Sequence, residues 1–263
     1  FSNPRRYSFL LGEGAHVKTP KQFLIDKGKI RERTENAKRL TIIDDLENRF
    51  SVEVLTKEFY RELSDWYFWA VKNVSFPNDI NDENDNGKYN AENVIRLITR
   101  LIFVWFLRQK ELVKPDFFDT EKLSGLLKDF DAQSATQHNY YRAILQNLFF
   151  ATLNQETGKR RFAEDKGYLE NRSTNTIKNY YRYESEFSTS TDEVINYFSQ
   201  IPFLNGGLFE CLDAKIKDER IFYWDGFSRN PKRQARVANE LFFAETKVVD
   251  LSSEYNDTRM KAV

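Results

Sequence analysis

The chain is 263 residues long, enough for one generous domain or two small ones, so core size is not limiting. Its 40 basic and 40 acidic side chains cancel, which excludes a global pull toward nucleic acid or anionic membrane and leaves only local patches for such contacts. A single cysteine, Cys211, excludes an internal disulfide framework and fits a reducing, cytoplasmic setting.

Cys211 reads as a small buried hydrophobe. No charged-then-apolar signal segment opens the chain. The first residue is Phe1 and the only methionine is Met260, so a piece of a longer protein is expected.

Residues 4–12 predict a short strand ending at Gly12. The following Gly12–Thr19 imitates a phosphate-binding loop, but Val17 stands where the Walker pattern needs glycine and Pro20 removes an amide donor, so a surface turn is expected. Residues 21–50 are charged and weakly periodic, a connector with at most one short helix. From Ser51, a plausible N-cap, Leu55, Phe59, Leu63, Trp66, Tyr67, Ala70 and Val74 recur at helical spacing, and Pro77 ends that helix. Asp82-x-Asn84-x-Asn86-Gly87 repeats half of a calcium-binding loop, yet the twelfth position is Asn93 instead of glutamate, which predicts a solvated linker.

Asn93–Val113 is apolar on almost every side, which predicts the buried central helix of the core. Asn90 is placed to cap it, Glu92 suits the positive end of its dipole, and Arg108 and Lys110 suit the negative end. Arg96, Arg100 and Arg108 interrupt it too often for a membrane span. Glu121–Leu127 predicts a short helix, and Tyr141, Ile144, Leu145, Leu148, Phe149 and Thr152 predict another.

Between 158 and 183 basic side chains outnumber acidic ones and tyrosines are interleaved with them. Lys159, Arg160, Arg161, Lys178 and Arg182 are therefore candidates for phosphate contacts beside aromatic stacking surfaces. Asp192–Phe198 predicts a helix capped by Thr191. Ile201–Glu210 predicts a tight bend in which Asn205-Gly206-Gly207 permits positive φ. Ile221–Trp224 and Leu241–Val249 read as short strands. Between these two, Arg229, Lys232, Arg233 and Arg236 form a second basic patch and candidate nucleic-acid surface.

Two histidines and one cysteine make a zinc site from those ligands implausible. No Gly-x-Ser-x-Gly elbow and no Gly-x-Gly-x-x-Gly cradle occurs. Asp225 with Glu245-Thr-Lys247 imitates the acidic pair and lysine of magnesium-dependent nucleases, but similar triplets recur elsewhere in this charged chain. No catalytic or metal residue is assigned.

Asn93–Val113 and Ile201–Glu210 together resemble the segment upstream of the methyltransferase core in single-chain type IIG restriction-modification enzymes, which methylate adenine in DNA and also cut it. Phe50–Tyr60, Tyr181-Arg-Tyr-Glu184, Leu241-Phe-Phe and Val249-Asp-Leu-Ser252 are similar to that family's pattern as well. The resemblance implies a helical connector between an amino-terminal nuclease and a downstream methyltransferase, with S-adenosylmethionine and magnesium used by the parent protein and no cofactor in this piece. The family's Asn-Pro-Pro-aromatic tetrapeptide is missing, since Asn3-Pro4 runs into Arg5 and Asn230-Pro231 into Lys232.

The expected architecture is mainly α, with minor short strands near both ends. Segment 1–33 would be the tail of a preceding nuclease region, 34–210 a helical core, and 211–263 a mixed segment leading to the methyltransferase. The expected partners are double-stranded DNA, touched on its backbone, and flanking domains of the same chain, with no membrane. The alternatives are a protein-interaction scaffold without nucleic-acid binding, or a divergent magnesium nuclease on Asp225, Glu245 and Lys247.

Overall fold

In the computed structural model, residues 18–35, 37–77, 87–163, 179–204, 206–215, 221–244, 247–255 and 261–262 are described. The strand expected over 4–12, the phosphate-loop imitation up to Val17, the calcium-loop imitation at Asp82–Asn86, and Asn205, Lys178 and Glu245 lie outside them. The fold is mainly α, with strands of two or three residues in two-stranded antiparallel pairs. The chain divides into two compact units, Phe1–Asp65 and Trp66–Val263, and the division falls within one long helix.

In the first unit, α1 (Lys18–Lys21) leads into a π-turn over Gln22–Asp26. A hairpin follows, β1 (Arg33–Glu35) and β2 (Lys38–Leu40), where only a connector with a helix was expected. The helix is present too: α2 (Ile42–Arg49) begins at a capping box in which Thr41 and Asp44 satisfy each other's backbone amides. At its far end the buried Arg49 donates to the carbonyls of Phe23 and Gly28, each at 2.8 Å, while its Nε donates to Asp45. One guanidinium thus holds the preceding loop closed. Ser51 caps α3 (Val52–Asn73) as expected, its Oγ accepting from the amide of Val54.

In the second unit the last turns of α3 bury Trp69 and Ala70, and the chain passes through β3 (Val74–Ser75). The next helix, α4 (Lys88–Gln109), starts earlier than expected because Gly87, at φ +80°, provides the turn. Asn90 therefore does not cap it. Its side chain instead accepts from the amide of Phe76 and donates to the carbonyl of Val74.

A 3₁₀ turn at Pro115–Phe118 and α5 (Thr120–Leu126), capped by Asp119, come next. Then follows Tyr140–Leu153, a helix wound with π-type hydrogen bonds and buried at all but one position. The helix α6 (Thr191–Phe198) is capped by Ser190, one residue before the expected Thr191, because Ser190 completes a capping box with Glu193. The remaining elements are β4 (Ala214–Lys215), β5 (Ile221–Phe222), β6 (Arg236–Val237), α7 (Glu240–Phe243), β7 (Val248–Val249), α8 (Ser252–Tyr255) and β8 (Lys261–Ala262). β3 pairs with β6, β4 with β5, and β7 with β8. The stretch 241–249, expected as strand, is divided: Leu241–Phe243 is helical and only Val248–Val249 is extended. Gly206 lies at φ −125°, so the expected positive φ is absent there.

The central helix is Tyr140–Leu153, which corrects the assignment of that role to Asn93–Val113. Ala143, Ile144, Leu145, Leu148, Phe149, Phe150 and Ala151 are fully enclosed. Helix α4 buries one side only, through Tyr89, Val94, Leu97, Arg100, Val104 and Leu107. Its other apolar side, with Ile95, Ile102, Phe103, Trp105 and Phe106, is exposed. No described helix is long and apolar enough to cross a membrane.

Leu148→Ala should cost about 2–5 kcal/mol of unfolding free energy, as truncation in a closed core does, whereas Ile95→Ala should change that of the dilute monomer by less than about 0.5 kcal/mol. Urea denaturation of the two variants checks which helix is central.

Candidate functional site

Polar side chains within the second unit converge on a buried network whose first member is Arg100, in the middle of α4. Its Nε donates to the carbonyl of Leu208 at 2.9 Å, one terminal nitrogen to Asp225 at 2.9 Å, and the other to the carbonyl of Glu210 at 3.1 Å. The guanidinium lies 4.8 Å from the ring centre of Phe150 on the core helix. Arg96, one turn earlier, reaches both oxygens of Asp225 at 3.1 Å. The amide of Leu212 also donates to Asp225, at 2.7 Å. A carboxylate with 1 % side-chain exposure is thus held by two arginines and a backbone amide.

Asp213 continues the network. It accepts from the amides of Asp225, Gly226 and Phe227 and so closes a loop around itself. Gly226 sits at φ +62°, and a Cβ there would lie 2.6 Å from the amide nitrogen of Ala235 and 2.8 Å from Pro77, so no side chain fits. The core helix enters through Gln146, which donates to the carbonyl of Asp225 and accepts from the hydroxyl of Tyr183. Asn147 donates to the carbonyl of Arg182 and accepts from its amide. Tyr183 occupies the left-handed region at φ +67°, a strained position for a bulky residue that these contacts enforce.

Three of the stretches that carry the resemblance, Asn93–Val113, Tyr181–Glu184 and Ile201–Glu210, therefore meet at one place. They meet as structural clamps, with Arg96, Arg100 and Tyr183 directed at other parts of the chain.

Cys211, Asp213 and Asp225 have their donor atoms within 4.8 Å of one another, the spacing of a metal centre. The surrounding groups do not fit one. Both oxygens of Asp225 are engaged by arginines, those of Asp213 by amides, and burial pushes the Cys211 thiol well up from its ordinary range, followed by the two aspartates. Arg96, Arg100 and Arg182 already supply more positive charge than two carboxylates offset. The same engagement removes Asp225 from the imitated nuclease centre. Lys247 pairs with Glu240, and Glu245 is outside the described residues.

Eight of the nine candidate phosphate-binding residues, all but Lys178, are described and separate by environment. Arg160 is buried and donates to the carbonyls of Thr152, Phe198 and Ile201, where it neutralises the ends of the core helix and α6. Arg182 is buried 4.2 Å from the ring centre of Phe227. Neither presents its charge at the surface, so both leave the candidate set. Lys159 is exposed and paired with Glu156, and Arg229 is paired with Glu184 at 2.7 Å. Arg161 is exposed, 4.5 Å from the ring centre of Tyr180, and donates to its hydroxyl. Lys232, Arg233 and Arg236 are exposed along one short segment. Segment 180–184 joins the two patches, with Arg161 on Tyr180 at one end and Arg229 on Glu184 at the other. Sequence reading passed over Arg96, Arg100 and Asp213 as network members, although arginines inside an apolar helix already call for a buried partner.

No protein-family model matches the chain. No solved structure matches it either. The chain is similar to a protein of Methanocaldococcus jannaschii described as a putative type II restriction enzyme and methyltransferase, at 29% identity over 194 residues. The similarity covers 64% of this chain and 14% of that protein, so the chain spans a small fraction of its relative's length.

Asp225→Ala should cost about 3–5 kcal/mol, because it leaves Arg100 buried without its counter-charge. Denaturant unfolding measures it. Burial and the neighbouring Asp225 carboxylate push Asp213 up to about 6 from 3.8, against the pull of the amides and Arg182. The folded protein then holds a proton that the unfolded chain has released, and the stability from this group is lost as pH rises through about 6. The stability difference between the parent and Asp213→Asn should accordingly be larger at pH 5 than at pH 7.5, by about 1 kcal/mol in unfolding titrations.

Proposed function

We propose that this chain is the helical connector of a restriction-modification protein of the type IIG class, in which one polypeptide methylates adenine in DNA and also cuts it. The observation that carries the reading is the similarity to a restriction enzyme and methyltransferase across 64% of this chain. The buried clamp at Arg100 supports it, since a connector must hold a fixed geometry and has no need of reactive groups. In this reading S-adenosylmethionine and magnesium serve the flanking domains, and the connector orients nuclease relative to methyltransferase.

The exposed cations Arg161, Lys232, Arg233 and Arg236, with Tyr180 beside the first, would touch the DNA backbone without reading sequence. Such contacts displace counterions from the duplex, so binding must weaken with salt.

Titration of the chain with an arbitrary duplex, followed by fluorescence anisotropy at several salt concentrations, tests this reading. Affinity should fall steeply with salt, and replacing Lys232, Arg233 and Arg236 together by alanine should reduce the logarithmic salt slope by about 2–3. Absent binding at low salt, or an unchanged slope in the variant, would leave the protein-interaction scaffold as the better reading.

A further inference from the structure

The exposed side of α4 is the largest unexplained feature of the second unit. Glu92, Ile95, Thr99, Ile102, Phe106 and Gln109 follow one another at alternating intervals of three and four residues, and all are exposed. That alternation is the heptad seam by which one helix packs along another, and here it runs for about 26 Å. Phe103 and Trp105 flank it. Ile95, Ile102 and Phe106 are 53%, 48% and 52% exposed, so apolar side chains, with Thr99 between the first two, face water along this row.

The charges at its ends indicate what covers it. Glu92 lies at the amino-terminal end, exposed and 3.8 Å from Lys88, a pairing that solvent makes weak. Lys110 lies just past the carboxyl-terminal end, 5.6 Å from the ring centre of Phe106. A parallel partner of the same sequence would bring Glu92 to Glu92 and Lys110 to Lys110. An antiparallel copy brings Glu92 to Gln109 and Lys110, Ile95 to Phe106, and Thr99 to Ile102, so that every layer is filled and both ends are complementary.

We infer that α4 is a self-association surface through which two copies of this chain pair antiparallel about a twofold axis near Thr99 and Ile102. The interface is isologous, so each favourable contact occurs twice. The opposite side of the helix, anchored by Arg100, remains committed to the core.

Sedimentation equilibrium of the full 263-residue chain tests the inference. A reversible monomer–dimer equilibrium is expected. Ile102→Glu should leave only monomer, with the same thermal unfolding by circular dichroism as the parent at concentrations where the parent is also monomeric, because the side chain is exposed in the monomer. Glu92→Lys and Lys110→Glu should each weaken the dimer at least about tenfold, since each creates two like-charge contacts. A mixture of these two single variants should form a heterodimer tighter than either homodimer, because every altered residue then meets an opposite charge. A chain that stays monomeric at all concentrations, which would leave the stripe to a different partner, overturns the inference. So does a dimer that ignores both charge reversals, or a mixture that associates no better than its components.

Discussion

The buried ion pair between Arg100 and Asp225 is the constraint around which the second unit closes. Removing two charges from water is costly, and their attraction compensates only where all remaining donors and acceptors find partners. Here they do: the other two donor directions of the guanidinium end on carbonyls at Leu208 and Glu210, and Asp225 also receives Arg96 and the amide of Leu212. Such a pair contributes little net stability compared with apolar packing. What it contributes is register, because Arg100 ties α4 to Leu208, Glu210 and Asp225 at once.

The device recurs. Arg49 gathers the carbonyls of the loop before α2 in the first unit, and Arg160 gathers those at the ends of two helices in the second. Tyr183 is held in its left-handed conformation by Gln146, and Asn147 holds the neighbouring backbone at Arg182, so the core helix carries polar groups that a wholly apolar rod could not use. Among the described residues, Arg49, Arg100, Arg160 and Arg182 are the basic side chains enclosed in this way.

Helix positions were largely legible in the sequence. Three- and four-residue apolar spacing located Tyr140–Leu153 and α5, because those patterns follow directly from which side of a helix is covered. Which helix lies at the centre was not legible. Asn93–Val113 has the more continuous apolar run, yet half of it faces solvent, while the enclosed helix includes Gln146, Asn147 and Thr152, whose groups are satisfied by segments distant in sequence. Periodicity registers polarity and is blind to long-range partners. Which members of the basic patches are enclosed was illegible for the same reason: Arg160 and Arg161 are neighbours of identical chemistry, but successive side chains in an extended segment point to opposite sides, so one is enclosed and the other exposed. Asp225 looked reactive because acid and lysine triplets carry no information about what already grips the acid.

The enclosure of Cys211 has a practical side. Its sulfur is fully covered and its thiol is held in the protonated form by burial and by the adjacent aspartates, so it offers no thiolate to electrophiles. While folded, this chain should therefore react only slowly with maleimide reagents at Cys211. A single cysteine introduced at an exposed position could carry a fluorophore or spin label at one defined place, without any need to alter the wild-type core.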